Sequence, residues 1–189
     1  MITKETKHNQ HTLAMTVALI SWGMLFATLF MGYAVYRGST NVWPPMGFTR
    51  VSLIIPSIST VIILISSYFC YQMKVQVMKS NMLKARNNLH ITLFLAGAFL
   101  LSQIFLWKGM NETGVYVSSG IYASLMHAMT WIHAAHVAAA VFFLLYLEWQ
   151  FKKEILSPEK LQMKALNGEK FWHFLGIIWV LMFIILFVF

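Results

Sequence analysis

Aspartate is absent from this 189-residue chain, the six acids are all glutamate, and there is one cysteine and only four prolines. Charged residues make up 11% of the chain, whereas a soluble domain of this size needs about a quarter to cover its surface. That shortage excludes a soluble enzyme, a disordered chain and a nucleic-acid module. The lone Cys70 excludes an internal disulfide and any cysteine-ligated metal cluster. What is abundant is apolar: 59% hydrophobic and 15% aromatic residues. These are the proportions of an integral membrane protein.

Five continuous apolar stretches reach the length of about 20 residues that a helix needs to cross the hydrocarbon. They run over about 13–36, 51–73, 89–109, 122–147 and 171–189. Continuity, rather than alternation, favours helices over a barrel, since a helix satisfies its own backbone in lipid. The fold class expected is an all-α bundle of five transmembrane helices behind a polar tail, residues 1–12. The first run lacks a small-residue cleavage site and reads as a retained span. The connections are short, and the longest, about 149–170, is charged throughout.

The formal charge of +8 has its simplest explanation in topology, with no nucleic-acid partner. Eleven of the fourteen basic residues fall on one side: Lys4 and Lys7; Lys74, Lys79, Lys84 and Arg86; Lys152, Lys153, Lys160, Lys164 and Lys170. The other side has Arg37, Arg50 and Lys108. Lys and Arg accumulate in cytoplasmic loops, so the N-terminus is expected in the cytoplasm and the C-terminus outside.

Each span carries small or polar residues. Gly23, Ala27, Ala96 and Gly97 permit close helix approach. Ser57, Ser59, Thr60, Ser66 and Ser67 can bond the i−4 carbonyl or a neighbouring helix. The carboxylates Glu5, Glu112, Glu148, Glu154, Glu159 and Glu169 are placed outside the spans or at their ends. A carboxylate proton relay or a carboxylate-bridged metal pair is therefore not expected, and neither is a pump acting alone. Histidine is the remaining candidate for chemistry. His133 and His136, at i, i+3, share a helix face as a metal pair requires, but His90 and His173 begin their spans at another depth. Structural or lipid contacts are expected of His133, His136 and His173 instead of metal. Trp43, Trp107, Trp149 and Trp172 fall at predicted interfaces, the belt position.

Ordered motifs run from about residue 20 to the end. Ser21-Trp22-Gly23-Met24-Leu25-Phe26, then Phe30, Tyr33, Arg37 and Trp43-Pro44-Pro45-Met46-Gly47, are similar to an SEVMFF…WPPxG opening. Pro56, Thr60, Leu64 and Ser66-Ser67 follow PxxNTxxLLxSS, with Ser59 for Asn. Leu95, Gly97, Phe99-Leu100, Gln103, Trp107 and Gly114 follow LGxxFLxxQxxEW…G. Tyr122, Ser124, Thr130, His133, His136 and Val137 follow Y/GSLFYxLTGxHGLHV, and Phe171-Trp172-His173-Phe174 with Trp179 follow YWHFVDVVW. In these segments the chain resembles subunit III of the haem-copper respiratory oxidases, the cytochrome c oxidase subunit 3 family, in its five-helix bacterial form.

The resemblance implies a non-catalytic, cofactor-free subunit that packs on the haem-copper catalytic subunit I and stabilises it during electron transport to oxygen. Haem and copper are then expected on partner subunits, in a bacterial inner (cytoplasmic) membrane. Phospholipid and a larger respiratory supercomplex are further associations it implies, with Trp172 joining the contact residues. Alternatives within the family are a quinol oxidase subunit III and a nitric oxide reductase accessory subunit; outside it, a small independent transporter. That last would need broken helices or paired charges at mid-depth. The departures are specific. The family's acids correspond to Trp22, Leu106 and Gly176, and two of its glycines to Trp131 and Ala134. A role tied to those acids, such as feeding protons toward a partner's uptake channel, does not carry over.

Overall fold

The computed structural model describes residues 4–48, 51–153 and 157–188, with side chains from Thr12 onward. Five long helices account for nearly all of it: α1 (Lys4–Gly38), α2 (Ile54–Met78), α3 (Met82–Glu112), α4 (Ile121–Lys153) and α5 (Pro158–Met182), the last continued by a wider π-type turn over Phe183–Val188. All five are long and apolar enough to cross a membrane, and no strand occurs among the described residues. Even the shortest, at 25 residues, spans roughly 37 Å, more than the ~30 Å of hydrocarbon. This is the all-helical membrane bundle that the apolar runs predict. The expected polar tail is helical from Lys4, and Arg50 and Glu154 lie outside the described residues.

Local chemistry sets the turns. Asn81 caps α3 by accepting from the Lys84 amide at 3.3 Å. At the far end of α3, Gly114 takes a left-handed φ of 80°. There the Val115 amide reaches back to the Met110 carbonyl and the Gly114 amide to Asn111. This is a Schellman closure, and it buries Val115 against the core. Pro158 stands in the first turn of α5, where its missing N–H costs nothing.

Helices α2 to α5 form a ring in which each packs on the next and α5 returns to α2, while α1 lies outside against α4 and α5. Of the α1 side chains from Thr12 onward, only Phe26 and Tyr33 are fully buried. The main difference from the sequence expectation is the start of α5. Residues 158–170, read above as part of a charged connection, are its first turns. Leu161, Ala165 and Gly168 face inward while Lys160 and Lys164 stay outside or half-covered. A hydropathy window averages those two faces together; helical periodicity separates them. Small residues admit α5 between its neighbours. A methyl on Gly168 would stand 2.9 Å from the Phe143 ring, and one on Gly176 would stand 3.2 Å from Ser67 Oγ. Gly97, by contrast, has nothing within 4 Å, so its face is uncovered in this chain.

Candidate functional site

Two polar regions stand out, one at the end of the bundle that carries the lysines and one at mid-depth. At the basic end, a buried and a half-buried carboxylate tie helices together. Glu169 on α5 receives Lys74 Nζ of α2 at 2.8 Å and His173 Nε2 at 3.3 Å on the same oxygen. Glu148 on α4 receives Arg86 Nε and His90 Nε2 of α3, both at 2.9 Å. The ties bridge α2 to α5 and α3 to α4. Because α5 starts at Pro158, Glu169 lies well inside a helix and is 7% exposed, which corrects its placement in a connection. Nearby, Lys164 Nζ donates to Gln150 Oε1 at 2.9 Å and lies over the Tyr146 ring, and Lys153 lies over Trp149. These cation–aromatic contacts form a rim of amphipathic side chains suited to a membrane surface.

At mid-depth the seam between α1, α4 and α5 is aromatic. Trp22 stacks on Phe171 with centroids 4.8 Å apart and meets the His136 ring edge-on at 5.2 Å. His136 Nδ1 donates to the Ile132 carbonyl at 2.7 Å. His133 is fully buried among Phe26, Phe99 and Trp179. Trp179 Nε1 in turn donates to Thr60 Oγ1 at 3.0 Å. A further histidine, His127, is fixed by Nε2 on the Val115 carbonyl at 2.8 Å. Among the described residues no three His, Cys, Asp or Glu side chains converge as a metal site would need. The i, i+3 histidines do share a side, toward Phe26, but carbon faces are what they meet there.

Of the expected contact residues, His133 and His136 adjoin the same Phe26, while His173 belongs to the Glu169 tie. Trp172 is fully buried, not an interfacial belt residue, because the early start of α5 places it in the core. The hydroxyls of α2 act as expected: Ser59 bonds the Ile55 carbonyl and Ser102, Thr60 bonds the Pro56 carbonyl, and Ser66 bonds the Thr92 carbonyl. Sequence reasoning missed the pairings at the basic end. Lys74 and Glu169 are 95 residues apart, and their only sequence signal is that each stands one turn from an inward-facing residue.

These features define a helical membrane bundle with ion pairs toward one end and neutral polar groups between its helices. The family described as Cytochrome c oxidase subunit III matches residues 3–189, and this chain belongs to it. The chain is 28% identical over 176 residues to cytochrome c oxidase subunit 3 of Thermostichus vulcanus, covering 93% of this chain and 86% of that one. It is 27% identical over 158 residues to the probable cytochrome c oxidase subunit 3 of Nocardia farcinica, covering 83% and 77%. Cytochrome bo(3) ubiquinol oxidase subunit 3 of Buchnera aphidicola subsp. Schizaphis graminum is 28% identical over 183 residues, 95% of this chain and 94% of its own. The chain is thus a multi-pass membrane subunit III of the haem-copper oxidases, on the cytochrome c oxidase side of the family.

Proposed function

We propose that this chain acts without a catalytic centre of its own, packing on the haem-copper catalytic subunit I of a terminal oxidase and prolonging its working life. The family match over residues 3–189 carries this reading. The geometry supports it from another side. One ring nitrogen each of His127 and His136 is engaged with a backbone carbonyl, and His133 is enclosed by aromatic rings, an arrangement in keeping with histidines that order the packing of helices. Haem and copper then belong to partner subunits, and the electron donor is selected there too.

We place the chain in a bacterial cytoplasmic membrane with the basic end inside, because lysines and arginines concentrate at the α2–α3 and α4–α5 turns. Phospholipid is the natural occupant of the rim formed by Tyr146, Trp149, Lys153 and Lys164, and larger respiratory assemblies are compatible with the uncovered faces. The test is an affinity-tagged chain purified in mild detergent. Expected are co-purifying oxidase subunits with their haem spectrum, and, in a deletion strain, an oxidase of near-normal initial rate that loses activity faster during turnover. Complete loss of the initial rate with partner haems in place would show a direct part in the reaction.

A further inference from the structure

The mid-depth seam between α3 and α4 is short of hydrogen-bond donors. Gln103 is fully buried on α3 and its Oε1 has no protein partner. Its orientation follows from proton counting. The amide Nε2 faces Ser59 Oγ at 3.5 Å and Ser102 Oγ at 3.4 Å. Those two hydroxyls have only their own two protons, which the Ile55 carbonyl, the Phe99 carbonyl and their mutual 2.7 Å contact already claim. Both hydroxyls are drawn to those acceptors, and the amide sets its N–H groups toward them and its oxygen away.

His133, fully buried on α4, has no protein partner at either ring nitrogen. A neutral imidazole offers one N–H and one lone pair. Its N–H can rest on an aromatic ring such as Phe26 or Phe99, both in T-shaped contact with it; its lone pair cannot. His127, two turns nearer the other end of α4, repeats the shortage: Nε2 must carry the hydrogen that the Val115 carbonyl accepts, leaving Nδ1 a buried acceptor without a donor. Gln103 and His133 lie at neighbouring levels. Phe99, one turn before Gln103, packs on His133, and Trp107, one turn after it, donates to Thr130 at 3.1 Å. Gln103 is thereby bracketed onto the stretch of α4 from Thr130 to His133.

We propose that this seam binds an internal water molecule between Gln103 Oε1 and a ring nitrogen of His133. Water is the ligand whose chemistry fits: two donors in the smallest volume, for a place with acceptors in excess. Buried polar groups in membrane and soluble interiors alike find partners in this way.

Two measurements decide it, both on the full chain. In a map of the oxidase complex fine enough to show waters, one density peak is expected within roughly 3 Å of both Gln103 Oε1 and a His133 nitrogen. Side-chain carbon in contact with both atoms, and no peak, would overturn the proposal. The second is a cycle of His133→Phe, Gln103→Leu and the double variant, read as thermal unfolding in detergent. Each single variant strands the water's other partner and should melt about 4 °C lower. The double variant should fall no further than the larger single loss. An unchanged or raised melting point for His133→Phe would mean a bare nitrogen, better replaced by carbon, and additive losses would mean two unconnected sites; either outcome sinks the idea. If His133→Phe fails to assemble, the map decides alone, with Gln103→Leu expected to erase the peak.

Discussion

Replacing Lys74 by methionine tests whether the basic-end ties hold the bundle together. The substitution keeps the length of the stem and removes the ammonium 2.8 Å from Glu169 Oε1. Glu169 is then a carboxylate with a 9%-exposed side chain whose one remaining partner is His173 at 3.3 Å. Breaking a fully buried pair costs about 3–5 kcal/mol, because the surviving charge is left without compensation. Two features reduce that figure here. The Lys74 side chain is 19% exposed, so water already screens part of the attraction, and His173 continues to donate. A loss of roughly 2 kcal/mol is expected, equivalent to about 4–8 °C in melting temperature for a chain of this size.

The protein supplies its own probe. Cys70 is the only cysteine, fully buried one turn before Lys74, so a thiol-reactive fluorophore reports opening of the purified chain on heating. Lys74→Met should expose Cys70 at the lower temperature. Lys74→Met combined with Glu169→Leu should recover most of the loss, since apolar replacement of both partners of a buried pair is often close to neutral. If Lys74→Met melts with the parent chain, or if the double variant is worse than the single one, the tie contributes nothing and α5 is held by packing alone.

Three further outcomes are expected. Gly168→Val should destabilise by about 1–3 kcal/mol through overpacking, because a Cβ there stands 2.9 Å from the Phe143 ring; Gly168→Ala should cost less, since the half-buried ring can yield, and a neutral valine would show α4 and α5 to be looser than described. An engineered Lys160→Cys, exposed in the first turn of α5, should be labelled by an impermeant maleimide only from the cytoplasmic side; Cys70 is buried and stays silent, and labelling from outside would reverse the orientation. The purified chain should show no Soret band and no stoichiometric iron, copper or zinc; metal at one per chain that disappears in His133→Ala/His136→Ala would overturn the packing role of these histidines.

The five helices were legible because each span is a continuous apolar run, and hydropathy is additive along a sequence. The start of α5 was not, because Lys160, Lys164 and Lys170 dilute the average while Leu161, Ala165 and Gly168 keep a helical period beneath it. The depth of His133 could be read from its place in the middle of its span. Its enclosure could not, since Phe26, Phe99 and Trp179 come from three other helices. Gly97 and Gly168 illustrate the same limit. Both are glycines within helices, yet one faces open space and the other a ring at 2.9 Å, and only the crossing of α4 and α5 distinguishes them.

The positions that depart from the family's acids explain how this chain distributes its charge. At Trp22 an indole stacks on Phe171, at Leu106 an alkyl chain is buried, and at Gly176 the absent side chain leaves room for Ser67. Each replacement fills or vacates space without a charge, and the polar groups that remain at mid-depth, Gln103, Thr130, His133 and the α2 hydroxyls, are groups that can stay neutral. An ionised side chain at the bilayer centre costs about 2.5–3.5 kcal/mol on insertion scales and more by other estimates. The carboxylates of half-buried Glu148 and buried Glu169 stand instead at the basic end, where each meets a lysine or arginine within 3 Å. Charge therefore joins helices at the rim, and neutral hydrogen bonds order them in the middle. Among the described residues α1 has no carboxylate from Thr12 to Gly38; the acid near the level of Trp22 is Glu169 of α5, two residues before the Phe171 ring on which Trp22 stacks, and it is already tied to Lys74.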